Sequence, residues 1–194
     1  MALSTFAEIK TSFADWILGR GTSDLPSGRV NDFFTIVHRK IFYGDMTPGF
    51  ESPPLRIRGM ETTANLTITS NTVALPTRYI QNRRLYISAD PLVLMRQVAP
   101  ERLYELYPNS ETGRPVVYAI EGDNIVFGPT PDASYTGKHL YYQTFAALSA
   151  DADTNWIVAN APDVYLKGAM AEFWKYDGEK DEAQQAAMDF AGAI

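Results

Sequence analysis

The run Asp151-Ala152-Asp153-Thr154-Asn155 sets three oxygen-bearing side chains at alternate positions, as the first half of an EF-hand calcium loop does. The likeness fails twice. The position that requires glycine holds Trp156, and the twelfth position holds Pro162 where a glutamate should close the shell. Helix capping by Asp153 or Thr154 is the better account of the run. Only two histidines exist, His38 and His139. His38 falls on a helical pattern beside Arg39 and Lys40 and reads as a surface or packing residue. His139 falls on a strand pattern, on the face opposite Leu140 and Tyr142, with no acid or nucleophile close by in sequence. Given spatial partners it could serve a small hydrolase, and changing it would then abolish activity while sparing the fold. The chain has no cysteine, which removes disulfides, thiol catalysis, cysteine-held zinc and iron–sulfur clusters. No phosphate-binding P-loop, dinucleotide glycine fingerprint, serine nucleophile elbow or zinc-protease helix motif occurs. Gly19-Arg20-Gly21 is too short to cradle a phosphate and reads as a helix terminator. No catalytic residue, metal or cofactor is assigned.

Arginine is the residue type left to explain. Arg56, Arg58, Arg78, Arg83, Arg84 and Arg96 lie near Tyr79 and Tyr86 in a region of strand patterns. Arginines interleaved with aromatics on a sheet could stack single-stranded nucleic acid. Edge-strand charges or interface arginines account for the same pattern, and the glycine-flanked aromatics of the RNA-binding sheet are absent. Charge is uneven along the chain. Net charge is −6, but residues 1–114 hold 13 Lys+Arg against 11 Asp+Glu, and residues 115–194 hold 4 against 12. An acidic C-terminal part repels DNA phosphates and suits oriented stacking of subunits.

Helices and strands alternate in blocks. Residues 4–18 predict an amphipathic helix with Phe6, Ile9, Phe13, Trp16 and Ile17 at helical spacing, and Thr5 and Glu8 at capping-box spacing. Gly19 and Gly21 would end it, and residues 19–28 would form a loop. Residues 27–43 predict a second helix with the stripe Val30, Phe33, Phe34, Val37 and Ile41, stopped by Gly44. After a Pro/Gly linker the period changes to two. Asn65 to Thr69 alternates, Ser70-Asn71 turns, and residues 83–88 and 92–98 give short strands around Ala89-Asp90-Pro91. Pro100 opens a short helix, Glu101 to Tyr107. A hairpin joins 116–120 to 125–128, and 137–145 forms a long strand. Helices then follow at Asn155–Ala159, from Pro162 to Tyr176 with Leu166, Ala169, Met170 and Phe173 inward, and from about Glu179 to Ala193. The stripe of the last is Ala183, Ala186, Ala187, Phe190 and Ile194.

The expected fold is α+β: a helical bundle built from the N- and C-terminal helices, with a β-rich insertion of antiparallel strands and one short helix. The expected parts are residues 1–54, 55–148 and 149–194. At 194 residues, with 45% hydrophobic residues, the chain is long enough to bury a core. No apolar run approaches a membrane span, and MALSTFAEIK carries Glu8 and Lys10 where a secretion signal needs an apolar stretch. Synthesis and folding in a cytoplasm are expected.

From about Val30 onward the order of features resembles the head-to-tail adaptor proteins of tailed bacteriophages, also described as head completion or connector proteins. Arg29-Val30-Asn31-Asp32-Phe33-Phe34, Leu55-Arg56-Ile57-Arg58-Gly59-Met60-Glu61, Leu75-Pro76 before Arg83-Arg84-Leu85, and Pro115, Tyr118 and the Gly122–Gly128 hairpin carry the likeness. So do Tyr141-Tyr142, Leu148-Ser149, Thr154-Asn155-Trp156-Ile157, and Pro162 through Ala169 followed by Glu172. The resemblance implies a structural virion protein of the neck. It would form a homo-oligomeric ring, commonly of twelve copies, beneath the portal protein. The ring would extend the DNA channel, pass DNA without sequence-specific binding, and give tail, nozzle or stopper proteins a platform. No membrane is involved. Within that expectation Phe190 and Ile194 are assigned to the portal contact, and Arg56, Arg58, Arg83 and Arg84 to subunit contacts. Glu172, Asp177, Glu179, Asp181, Glu182 and Asp189 are assigned to an acidic channel wall. Another neck ring (a stopper or tail terminator) and a single-stranded nucleic-acid-binding module are the alternatives.

Overall fold

The computed structural model describes residues 3–17, 25–26, 28–89, 91–109 and 111–194. In chain order its elements are α1 (Phe6–Trp16), α2 (Arg29–Tyr43), β1 (Glu61–Ile68), β2 (Thr72–Ala74), β3 (Tyr79–Ile87), β4 (Val93–Leu94), β5 (Arg96–Gln97), α3 (Pro100–Leu106), β6 (Thr112–Gly113), β7 (Val117–Glu121), β8 (Asn124–Gly128), β9 (Thr130–Pro131), β10 (Tyr135–Gln143), α4 (Trp156–Asn160), α5 (Pro162–Asp177) and α6 (Lys180–Ala191). This is the expected α+β fold with a β-rich insertion. The expected stop at Gly19 and Gly21, most of the loop over 19–28, and Asp90 of the Ala89-Asp90-Pro91 turn lie outside the described residues. The chain forms two compact units, residues 60–144 and the remainder.

The helical unit is built on aromatic packing. Thr5 caps α1 in a complete capping box with Glu8, so two first-turn amides are satisfied locally. Two more are satisfied from afar: Phe6 N–H donates to Asp153 O at 2.9 Å and Ala7 N–H to Asp151 O at 3.0 Å. The buried face of α1 is Phe6, Ile9 and Phe13, with Ile17 just beyond. Trp16, expected in that stripe, is 44% exposed. Phe13 meets Phe34 edge-on at 5.8 Å and Phe173 at 6.0 Å, so α1, α2 and α5 share one ring cluster. Gly44 ends α2 as expected, at φ +78°, where a side chain would be strained.

Gly168 of α5 lies close against α2 and α6. A Cβ there would stand 2.5 Å from Val37 Cγ1 and 3.0 Å from Phe190 Cε2. Valine is stiff at χ1, so Val37 cannot swing aside cheaply. Gly168→Ala therefore destabilises the unit by about 1 kcal/mol, because overpacking outweighs the gain in helix propensity. A variant as stable as the parent in urea would contradict this packing.

Asn155, rather than Asp153 or Thr154, caps α4. Its Oδ1 accepts from Ile157 N–H at 3.0 Å and Val158 N–H at 3.1 Å. Its Nδ2 donates to Ala146 O and Tyr165 Oη, which ties the loop before α4 to α5.

The β unit holds two four-stranded sheets, ordered β1-β10-β3-β4 and β2-β8-β7-β5, and a small parallel pair, β6-β9. Its core takes Leu66 and Ile68 from β1, Leu85 and Ile87 from β3, Tyr118 from β7, and Ile125 and Phe127 from β8. Inner faces of both sheets thus supply one cluster. Met95, buried between β4 and β5, marks where the chain leaves the first sheet for the second. The alternation expected at Asn65 to Thr69 is present, with Leu66 and Ile68 inward. On the other face of the second sheet, Ala119 and Val126 pack under Leu103 of α3. The expected hairpin is β7–β8, closed from Glu121 to Asn124.

Candidate functional site

On the outer face of the first sheet, arginine and aromatic side chains meet in the open. The reason lies in the register. Leu140 pairs with Arg84 and Tyr141 with Asn82, so Arg83 is the extra residue of a bulge in β3. The alternation breaks there, and Arg83 and Arg84 are both exposed. Arg83 Nε lies 3.2 Å from Glu61 Oε1, and its guanidinium sits 5.3 Å from the Tyr142 ring. The Arg84 guanidinium sits 5.4 Å from the Tyr86 ring. Beside them β4 adds Leu94, 61% exposed, and Leu92 just before it, 59% exposed. Arg84, Tyr86, Leu92 and Leu94 line one hollow of about 180 Å³. The two leucines escaped the sequence reading. In a run taken as one strand over 92–98, two such short strands with Met95 inward between them leave no regular apolar face.

The other arginines do different work. Arg56 is half-buried, and its Nη1 donates to Phe42 O at 2.8 Å and Leu55 O at 2.7 Å. It satisfies a carbonyl of the last turn of α2, where a cation is favoured. Arg58 is exposed in a short 3₁₀ turn.

In the helical unit a groove of about 300 Å³ runs between α1, α5 and α6. Trp16, Met170, Trp174 and Ala186 form its apolar lining, and Lys167, Glu182, Gln185 and Asp189 stand around it. A smaller apolar pocket of about 160 Å³ brings Ile194 together with Leu55, Ile57, Trp156 and Ile157. Phe190 takes no part in either. It is 4% exposed and packs on Gly168, so its ring is committed to the bundle.

The six carboxylates expected on a channel wall divide. Asp177, Glu179, Asp181, Glu182 and Asp189 are exposed. Glu172 is only 12% exposed and accepts from Lys40 Nζ at 2.6 Å, with Lys175 Nζ at 3.4 Å. Lys40 also reaches Asp45 at 2.5 Å, and Lys175 lies 4.0 Å from the Phe50 ring centre. Two ammonium groups and two carboxylates thus form one compact network. Burial pushes the Asp45 carboxyl up, but Lys40 and Thr47 outweigh it and hold its pKa down to about 2.

Both histidines are packing residues. His38 Nδ1 is 2.8 Å from Tyr165 Oη, and burial lowers its pKa to about 4. His139 is fully buried, and burial lowers it likewise to about 4. Its Nε2 is 3.0 Å from Asn82 Oδ1, while Asn82 Nδ2 donates to Tyr118 Oη at 2.7 Å and to Gln97 Oε1 at 3.0 Å. This chain of polar groups joins the two sheets. With Asn82 so oriented, the imidazole proton sits on Nε2. The buried Nδ1 has no hydrogen-bond partner among the described residues. Among the described residues His139 faces the Asn82 amide and the rings of Tyr79 and Tyr141.

The Asp151–Asn155 run serves the scaffold. Asp153 accepts from Ser149 N–H, Ser149 Oγ and Ala150 N–H, and these bonds lower its pKa. Asp151 pairs with Lys10 of α1. Among the described residues no three His, Asp or Glu side chains stand close enough to hold a metal ion, and no helix is long and apolar enough to cross a membrane.

An α+β fold with an exposed arginine–leucine sheet face and an acid-rimmed groove carries residue types common on protein-binding surfaces. Comparison with known families gives that class a name. A family model described as SU10 adaptor protein matches residues 4–194, and the chain belongs to that family. The family is one of structural phage adaptors and not a class of enzymes. No curated protein matches the chain.

Proposed function

We propose that this chain is a head-to-tail adaptor of the phage neck. Copies assemble as a ring, of twelve in this reading, beneath the portal, extend the DNA channel and carry the tail, nozzle or stopper proteins. The observation that carries the proposal is the family match from residue 4 to residue 194. The surfaces support it. A bulge that turns two adjacent arginines outward beside two exposed leucines is interface chemistry. Arg83 and Arg84, with Arg58, are the subunit contacts in this reading, since Arg56 is engaged by its own backbone. Ile194, with Trp156 beside it and 43% exposed, is the portal contact. Asp177, Glu179 and Asp181 face the channel, where negative charge keeps DNA from adhering. Gold-labelled antibody against the chain should mark the neck of intact virions, one site per particle, between head and tail. Label along the tail, at its tip, or absent from virions would contradict the proposal. A label one layer below the portal-proximal ring would favour a stopper or terminator instead.

A further inference from the structure

We propose that the sheet face formed by Arg84, Tyr86, Leu92 and Leu94 of one copy docks into the α1–α5–α6 groove of the next copy, against Trp16, Met170, Glu182 and Asp189. The inference rests on the ring reading above and names its two contact faces. Each face has what the other needs. The sheet face offers two leucines about 60% exposed and the guanidinium of Arg84, which forms no ion pair among the described residues. The groove offers an apolar floor with Trp16 at its edge, and two carboxylates. Among the described residues Glu182 forms no ion pair, and Asp189 accepts only from Gln185, at 3.1 Å. Among the described residues the groove's lining holds one cation, Lys167, and Asp163 takes it at 3.1 Å. A cation from outside is therefore what this rim accommodates, and apolar side chains are what its floor accommodates. Charge over longer range agrees. The β unit is nearly balanced, with 7 Lys+Arg and 8 Asp+Glu, whereas residues 145–194 hold 3 against 9. Complementary local charge orients the encounter as well as strengthening it. The two faces differ, so the contact is head-to-tail: every copy offers one of each, and repetition closes a ring when the rotation between copies divides a full turn.

The chain contains no cysteine, which makes the test clean. Arg84→Cys and Gln185→Cys together, treated with a short bis-maleimide in the assembled ring, should give a ladder of covalent oligomers. Either substitution alone should stay monomeric on a denaturing gel. Arg84→Glu, or Glu182→Arg with Asp189→Arg, should each raise the concentration needed for assembly at least tenfold. All three in one chain should restore it, and restoration separates a lost contact from a misfolded variant. The assay is run on the protein alone and on the portal ring. Rings that form normally in every reversal variant, with no ladder, overturn this contact and leave the ring reading intact. Dimers from Arg84→Cys alone mean a symmetric sheet–sheet contact and also overturn it. No ring in either sample from the parent chain removes the ring reading, and this inference with it.

Discussion

Glu172→Ala lowers the stability of the helical unit by about 3 kcal/mol, because it leaves two ammonium groups sharing one carboxylate in a poorly solvated site. Glu172 is 12% exposed, Asp45 8%, Lys40 18% and Lys175 25%. Water cannot replace the lost partner well at such exposure. The four groups bring α2, the loop after it and α5 together, so the loss spreads beyond one side chain. All three tryptophans, Trp16, Trp156 and Trp174, lie in this unit, and their fluorescence during urea unfolding reports on it directly. Adding Lys40→Met to Glu172→Ala should not recover the loss, since buried Asp45 would then keep only Lys175, at 3.9 Å. A single Glu172→Ala variant within about 0.5 kcal/mol of the parent would show the network to be solvated.

The β unit loses about 3 kcal/mol as pH falls from 6.5 to 4, through His139. Its folded pKa of about 4 lies below the ordinary 6.5. Above 6.5 the imidazole is neutral in both states, and its burial costs nothing electrostatic. Below 6.5 the unfolded chain takes up a proton that the folded chain refuses, and stability falls until pH reaches about 4. Hydrogen exchange at the β3 and β10 amides measures this locally. His139→Gln should flatten the slope there, while His38, also lowered to about 4, keeps a similar slope in the helical unit. The Asp45 contribution sits in a separate window. It is present above the ordinary carboxyl pKa of 3.8 and disappears as pH falls through about 2. A pH-independent β unit between 6.5 and 4 would mean that His139 is hydrated in solution.

Local signals in the sequence carry over well where one physical cause dominates. Thr5 and Glu8 state a capping box, Phe6, Ile9 and Phe13 state a face, and both are in place. Leu66 and Ile68 alternate because one side of β1 meets the core. Other features depend on partners distant in sequence. Asn155 outcompetes Thr154 as a cap because its amide also reaches Ala146 and Tyr165. Phe190 closes a stripe of small residues, and nothing nearby in sequence shows that Gly168 leaves it a place in the bundle. Glu172 looks like any helix-surface acid until Lys40, 132 residues away, is set beside it. The sheet face was half legible: Arg83-Arg84 was visible, but a bulge is a property of pairing with β10 and has no local signature.

Native mass spectrometry of the full chain, alone and then mixed with its portal ring, decides whether this protein assembles as a neck adaptor must. A discrete ring is expected in at least one of the two samples, with the mass of twelve copies of a 21.6 kDa chain. A chain that remains monomeric in both, with no mass added to the portal, would refute the adaptor function.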